Sequence, residues 1–141
     1  MTSSPPLSIA ESVERYLRFL QSEENKSSLT VRNYRESLTL LQNILPIRNV
    51  KDFSKDAIRD YKQALHEFKT RQNKELSVKT RNHHLTVLRA FLRYLLQEEE
   101  LDVYPPDRVK RFKEEQRQVK VLHGEELKLI SILLDGRALA E

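Results

Sequence analysis

Apolar residues recur every three or four positions along four separate stretches of the chain. The first stretch runs from Ile9 to Leu20, and the second runs from Val31 to Leu45. The third begins at Ile58, and the fourth is the leucine series between Leu85 and Leu95. This spacing is typical of one buried face of an α-helix. The pattern therefore predicts four amphipathic helices and an all-α fold.

A serine stands before each predicted helix. These four residues are Ser8, Ser27, Ser54 and Ser77. A serine at this position can accept a hydrogen bond from a free amide of the first helical turn. Pro46 ends the second helix, since proline disfavours the helical conformation of the residue before it. A short fifth helix is expected from about residue 125 to residue 134.

Composition narrows the possible chemistry. The 141 residues carry 25 Lys and Arg against 21 Asp and Glu, a formal charge of +4. The absence of cysteine excludes disulfides, thiolate metal sites and cysteine nucleophiles. The two glycines are too few for a glycine-rich phosphate loop. No apolar run reaches the roughly 18 residues of a membrane span, and no secretory signal is visible. We expect a cytoplasmic protein that does not enter a membrane.

The fourth predicted helix carries positive charge on one face. At about 100° per residue, the face opposite the leucines holds Lys79, Asn82, His83, Thr86 and Arg93, with Arg89 beside it. No acidic residue occurs between Leu76 and Gln97. A face of one sign is typical of a surface that binds a polyanion. A solvated basic face with no ligand is the alternative.

The second and fourth helices begin with the same short pattern. Ser27 and Thr30 are followed by Arg32 and Asn33. Ser77 and Thr80 are followed in the same way by Arg81 and Asn82. A helix N-terminus presents free amides and the positive end of the helix dipole, which favour phosphate. Simple helix capping is the alternative explanation.

The residue pattern favours neither metal binding nor catalysis. His83 and His84 are adjacent, so a helix directs their side chains about 100° apart. His66 and His84 are expected at the edge of the core. No nucleophile or carboxylate pair stands in a recognisable motif, and we expect no catalytic residue, metal or cofactor.

The order of these features resembles a known family. Ser27, Thr30, Tyr34 and Leu38 open the second helix, and the run from Leu76 to Leu96 forms the fourth. This arrangement resembles the N-terminal core-binding domain of tyrosine recombinases, the phage integrase and Xer-like family. The resemblance implies a small orthogonal bundle of four main helices plus the short C-terminal helix. In that family the bundle clamps a DNA recombination site, with the second and fourth helices facing the DNA.

The resemblance places ten residues at DNA-facing positions. They are Thr30, Arg32, Asn33, Arg35, Lys79, Thr80, Asn82, His83, Arg89 and Arg93. It also implies double-stranded DNA as the partner and self-association of several copies on that DNA. Strand cleavage in the family uses a tyrosine of the catalytic domain, so we expect this chain to bind DNA without cutting it.

The resemblance also divides the chain. Residues 1–106 would be the core-binding domain, residues 107–122 a charged interdomain linker, and residues 123–141 the start of a truncated catalytic domain. Nine of the fourteen residues from Asp107 to Lys120 are charged, which favours an exposed linker.

Two other functions remain open. A helical protein-interaction module would use Leu127, Ile130 and Leu134 as its contact surface. A stand-alone DNA-binding regulator would need a dimer seam along Val31–Leu45.

Overall fold

The computed structural model describes residues 8–114, which form four α-helices and two short 3-10 turns. In chain order the helices are α1 (Ile9–Ser22), α2 (Ser28–Ile44), α3 (Lys55–Glu67) and α4 (Val78–Gln97). The 3-10 turns are Val50–Asp52 and Pro106–Arg108. Residues 8–114 contain no β-strand, and the predicted all-α fold is confirmed. The helix expected at residues 125–134 and the segment 123–141 lie outside the described residues.

The four helices begin where the serines predict. The Oγ atoms of Ser8, Ser27, Ser54 and Ser77 each accept a hydrogen bond, 3.1 Å long, from the amide three residues ahead. Each bond satisfies one of the amides that the first helical turn leaves without an intrahelical partner. The predicted starts of all four helices are confirmed.

Helices α1 and α4 end in the same way. Asn25 and Glu100 adopt positive φ angles of 52° and 56°. Beyond them, the amide of Lys26 bonds the carbonyl of Leu20 and the amide of Leu101 bonds the carbonyl of Leu95. At each end the left-handed residue turns the chain back, and this bond between residues six positions apart satisfies a carbonyl of the last helical turn.

Helix α4 contributes more buried core residues than any other helix of residues 8–114. Its Leu85, Leu88, Phe91, Leu92 and Leu95 are almost completely buried. The helix packs against α1, α2 and the Pro106–Arg108 turn. The apolar face of α2 packs on the same core, since Val31, Leu38 and Leu41 are buried, and so is Leu45 directly after the helix. The second helix therefore uses its apolar face inside the domain, where it cannot act as the dimer seam of a regulator.

The segment after α4 returns across the bundle. Val109 is only 1% exposed, and Phe112 packs against the core cluster. The expectation of an exposed linker beginning at residue 107 is therefore wrong for Val109 and Phe112, whose apolar side chains anchor this charged stretch, while Lys110 and Arg111 between them are exposed. The division into domains stays a prediction. Among residues 8–114, no helix is both long and apolar enough to cross a membrane.

Candidate nucleic-acid interface

The N-termini of α2 and α4 have the same side-chain geometry. The Ser27 hydroxyl donates to Thr30 Oγ1 at 3.0 Å, and the Ser77 hydroxyl donates to Thr80 Oγ1 at 3.1 Å. Each serine also accepts the amide hydrogen of the same threonine. When the serine hydroxyl donates to the threonine oxygen, the threonine hydroxyl can in turn donate to a ligand acceptor. Both helix starts can thus donate hydrogen bonds to an anion.

A polar contact joins α2 and α4 next to the core. Ser37 Oγ and His84 Nδ1 form a hydrogen bond of 2.7 Å, and Ser37 is buried. Burial, helped by the neighbouring His83, lowers the pKa of His84 to about 4. His84 is therefore neutral at physiological pH and adds no charge to the surface. Its predicted place at the edge of the core is confirmed.

Helices α2 and α4 contact each other and also share Tyr16 of α1 as a neighbour. Ser37 of α2 contacts His84, whereas Tyr34, three residues earlier, contacts Tyr16. Tyr16 in turn packs on Phe91 and Tyr94, which come later in α4. Ser37 lies in the middle of α2 and His84 in the second turn of α4, so neither matching N-terminus is at the Ser37–His84 contact.

The exposed side of α4 is basic, as the sequence predicts. Lys79, Thr80, His83 and Arg93 are exposed, while Arg89 is partly buried. Arg93 meets a carboxylate from outside the helix, with its Nη2 3.6 Å from Asp107 Oδ1. The Asp107 side chain is 88% exposed, so this pair is weakened by solvent. The buried Nε of Arg89 has no hydrogen-bond partner among the described residues.

The predicted DNA-facing residues of α2 carry less net positive charge than those of α4. Thr30 is partly buried, and Arg32, Asn33 and Arg35 are exposed. Arg35 forms a two-pronged contact with Glu14 of α1, at 2.7 and 3.3 Å. Arg32 lies 3.6 Å from Glu36, one helical turn ahead. Both arginines of α2 are therefore compensated by carboxylates, whereas within residues 8–114 Arg93 is the one cation of α4 that forms an ion pair.

Asn82 lies on the predicted face of α4 but is not open to solvent. It is only 3% exposed. Its Nδ2 donates to the Phe112 carbonyl at 3.0 Å and to Glu114 Oε2 at 3.1 Å, and its Oδ1 accepts from the Phe112 amide at 2.6 Å. The expectation of an exposed Asn82 is wrong, because the returning chain covers it and occupies both ends of its amide.

Phe112 is the residue that sequence reasoning missed. Its ring lies under two cations, with the Arg81 guanidinium 4.7 Å and the Lys62 ammonium 5.1 Å from its centre. Such contacts favour a fixed ring position. The available signal was the pair Val109 and Phe112, two apolar residues three apart within a charged run.

His66 also differs from expectation. It is exposed on α3, and its Nδ1 lies 3.4 Å from Arg81 Nη1, so its predicted place at the core edge is wrong. Within the part of the chain that the structure describes, no three His, Asp or Glu side chains are grouped as metal ligands would be.

Comparisons with known proteins show which family this helical bundle resembles. A family model described as "Phage integrase, N-terminal SAM-like domain" matches residues 13–99. Tyrosine recombinase XerC of Bacillus subtilis (strain 168) is 30% identical over 115 residues. That alignment covers 82% of this chain and 37% of the recombinase, so the chain spans little more than a third of that relative.

A solved structure has the same fold. It is the N-terminal domain of a phage integrase/site-specific recombinase from Haloarcula marismortui, with a TM-score of 0.61 and 20% sequence identity. The likeness covers 77% of this chain and all of the other. Because the family model matches more than half of its residues, this chain belongs to the phage integrase N-terminal SAM-like domain family.

Proposed function

We propose that this domain is the DNA-binding module of a site-specific tyrosine recombinase and that it clamps double-stranded DNA at a recombination site. The observation that supports this most is the charge of α4. The helix exposes Lys79, His83 and Arg93, and none of its twenty residues is acidic. A solvated helix usually mixes both signs, whereas a duplex presents closely spaced phosphates.

The N-terminus of α4 is suited to hold a phosphate. Thr80 carries a hydroxyl group that can donate to a phosphate oxygen, and Lys79 next to it supplies a positive charge. The first turn of the helix adds backbone amides and the positive end of the helix dipole. Arg93 lies four turns further along the helix. It would leave its ion pair with Asp107 and contact a second phosphate instead.

The α2 residues would act as a second set of contacts. Arg32 and Arg35 are held by Glu36 and Glu14, and all four side chains are largely exposed. Exposed ion pairs are weak, so a phosphate can replace either carboxylate at small cost. Thr30 and Asn33 complete this set. They add hydroxyl and amide groups that can contact the DNA backbone or a base edge.

The same proposal assigns a limited role to the domain. Strand cleavage would belong to a recombinase catalytic domain, and no described residue is proposed as catalytic. Copies of the parent recombinase would assemble on the DNA. In each copy, helices α2 and α4 would supply the contacts to DNA.

A salt series of DNA binding tests this function. Fluorescence anisotropy with a labelled duplex would compare the wild type with a Lys79→Ala/Arg93→Ala variant. The matched control is Arg48→Ala/Lys51→Ala, which removes two exposed cations from the connection between α2 and α3. We expect log K to fall with log salt, and the slope of the α4 variant to be shallower by about 0.9 for each phosphate that it no longer binds. Equal slopes for the α4 variant and the control would contradict the proposal.

A further inference from the structure

A second basic surface lies between α3 and the returning chain. It is a cleft of about 440 Å³, lined by Lys55, Ile58, Arg59, Lys62, Tyr104, Asp107, Arg108 and Lys110. Ile58 is buried and Tyr104 partly buried, so they form an apolar floor. Five of the eight lining residues are cations and only Asp107 is acidic. This cleft is separate from the α2 and α4 positions described above.

The cations of this cleft are not paired with any carboxylate of the described residues. None of the five forms an ion pair within residues 8–114, although five other cations of the domain do. Lys62 instead donates from Nζ to the Lys110 carbonyl at 2.8 Å. Five uncompensated cations around one concave surface create a local positive potential that attracts an anion.

The wall of the cleft is held firmly in place. The returning chain is fastened beyond the cleft by the Asn82 amide, which bonds both backbone groups of Phe112. Val109 is buried within the same segment. Lys62 ties the α3 side directly to Lys110. Arg108 and Lys110 are therefore presented from an ordered backbone, which reduces the entropic cost of binding a ligand.

Asp107 connects this cleft to the basic side of α4. Its carboxylate lies 3.6 Å from Arg93 and its side chain lines the cleft. The two positive surfaces are thus neighbours, separated by one exposed carboxylate. A polyanion that contacts Arg93 would continue directly into the cleft, and only Asp107 would oppose it.

We propose that this cleft binds the sugar–phosphate backbone of the same duplex that α4 contacts, next to the Arg93 position. The inference rests on the proposed function, which it extends to α3 and the returning chain. Phosphate oxygens would meet Lys55, Arg59 and Arg108, and the Ile58–Tyr104 floor would pack against deoxyribose. Such contacts position DNA without reading its sequence.

The first test removes two cleft cations. The variant is Lys55→Ala/Arg59→Ala. Because both wild-type side chains are exposed, the fold should be unchanged. Circular dichroism and thermal melting would verify this. With a mixed-sequence duplex, we expect the salt slope to fall by about 0.9 for each phosphate that the variant no longer binds. The Arg48→Ala/Lys51→Ala control should keep the wild-type slope. A cleft variant with the wild-type slope would overturn the proposal.

The second test uses the single carboxylate. Asp107→Asn removes the acidic group between the two surfaces and releases Arg93, so we expect tighter DNA binding and a steeper salt slope. Unchanged or weaker binding would count against the cleft. If Lys79→Ala/Arg93→Ala weakens binding while both cleft variants match the wild type, the cleft proposal fails and the proposed function stands. If the wild type does not bind duplex DNA, both fail together.

Discussion

The side-chain amide of Asn82 pairs with the backbone of Phe112 as one strand pairs with another. Its oxygen accepts the Phe112 amide at 2.6 Å, and its nitrogen donates to the Phe112 carbonyl at 3.0 Å. These bonds join the second turn of α4 to a chain segment thirty residues later. They fix the path that the chain takes as it leaves the helical bundle, beside the basic side of α4.

Asn82→Ala should destabilise the domain. The substitution leaves both backbone groups of Phe112 without their partner, and an unmatched buried polar group costs about 1–3 kcal/mol. Urea unfolding would measure the destabilisation, and amide hydrogen exchange should show faster exchange at residues 109–114. Asn33→Ala is the matched control, since Asn33 is exposed on α2 and its removal should change stability by less than about 0.5 kcal/mol. Equal destabilisation of the two variants would contradict this role.

The serine caps are the local source of the helix boundaries. Ser77→Ala should lower the free energy of unfolding by about 1 kcal/mol, because the Thr80 amide and hydroxyl would be left without their shared partner. Ser27→Ala should do the same at α2. Ser28→Ala provides the comparison, since it changes an exposed serine one position inside the helix. Thermal melting would measure the stability of all three variants. An equal loss of stability for Ser28→Ala and the two cap variants would contradict the capping role of Ser27 and Ser77.

The burial of His84 predicts a pH dependence of stability. His84 has a pKa of about 4 in the folded chain, against 6.5 when it is unfolded and solvated. Between these values the unfolded state binds more protons, so acid favours unfolding. The free energy of unfolding should therefore fall as the pH drops from about 6.5 to about 4. The free energy of unfolding of the His84→Gln variant should fall less steeply over that pH range. Above pH 7 its pH profile should run parallel to that of the wild type. Identical profiles in urea unfolding would contradict the burial of a neutral His84.

Glu100 holds a backbone conformation that suits glycine better. Its φ of 56° is in the left-handed region, which costs a residue with a Cβ about 1–2 kcal/mol. Glu100→Gly should raise the free energy of unfolding, by at most about 1 kcal/mol after the greater chain entropy of glycine is subtracted. Glu98→Gly, where φ is −97°, should lower it instead. Chemical denaturation of the pair would test this, and a decrease in stability for both would disprove the strain.

Local signals in the sequence were sufficient to predict where the four helices begin and which side of each is buried. Ser8, Ser27, Ser54 and Ser77 each act on an amide three residues away, so the relevant chemistry is contained within one helical turn. The leucine spacing of α4 likewise determines which side is buried, because helical geometry relates neighbours without reference to the rest of the chain.

Long-range contacts could not be predicted from the sequence. Asn82 lies on the same helical face as Lys79 and His83, and only the return of Phe112 buries it. The charged composition of residues 107–120 concealed two apolar anchors. The ion pairs of Arg35 with Glu14 and of Arg93 with Asp107 also join distant positions. Helix periodicity contains no information about which distant residue covers a given side chain.

The most direct test of the central claim is a residue-by-residue map of the DNA contact. Labelled protein would be titrated with duplex DNA, and backbone amide chemical shifts would be followed by NMR. We predict the largest shifts at Lys79, Thr80 and His83 of α4, with further shifts at Arg32 and Asn33 of α2. The buried α1 core around Val13 should stay unchanged. Saturable shifts confined to positions outside α2, α4 and the adjoining cleft, or no shifts at low salt, would contradict DNA binding by this face.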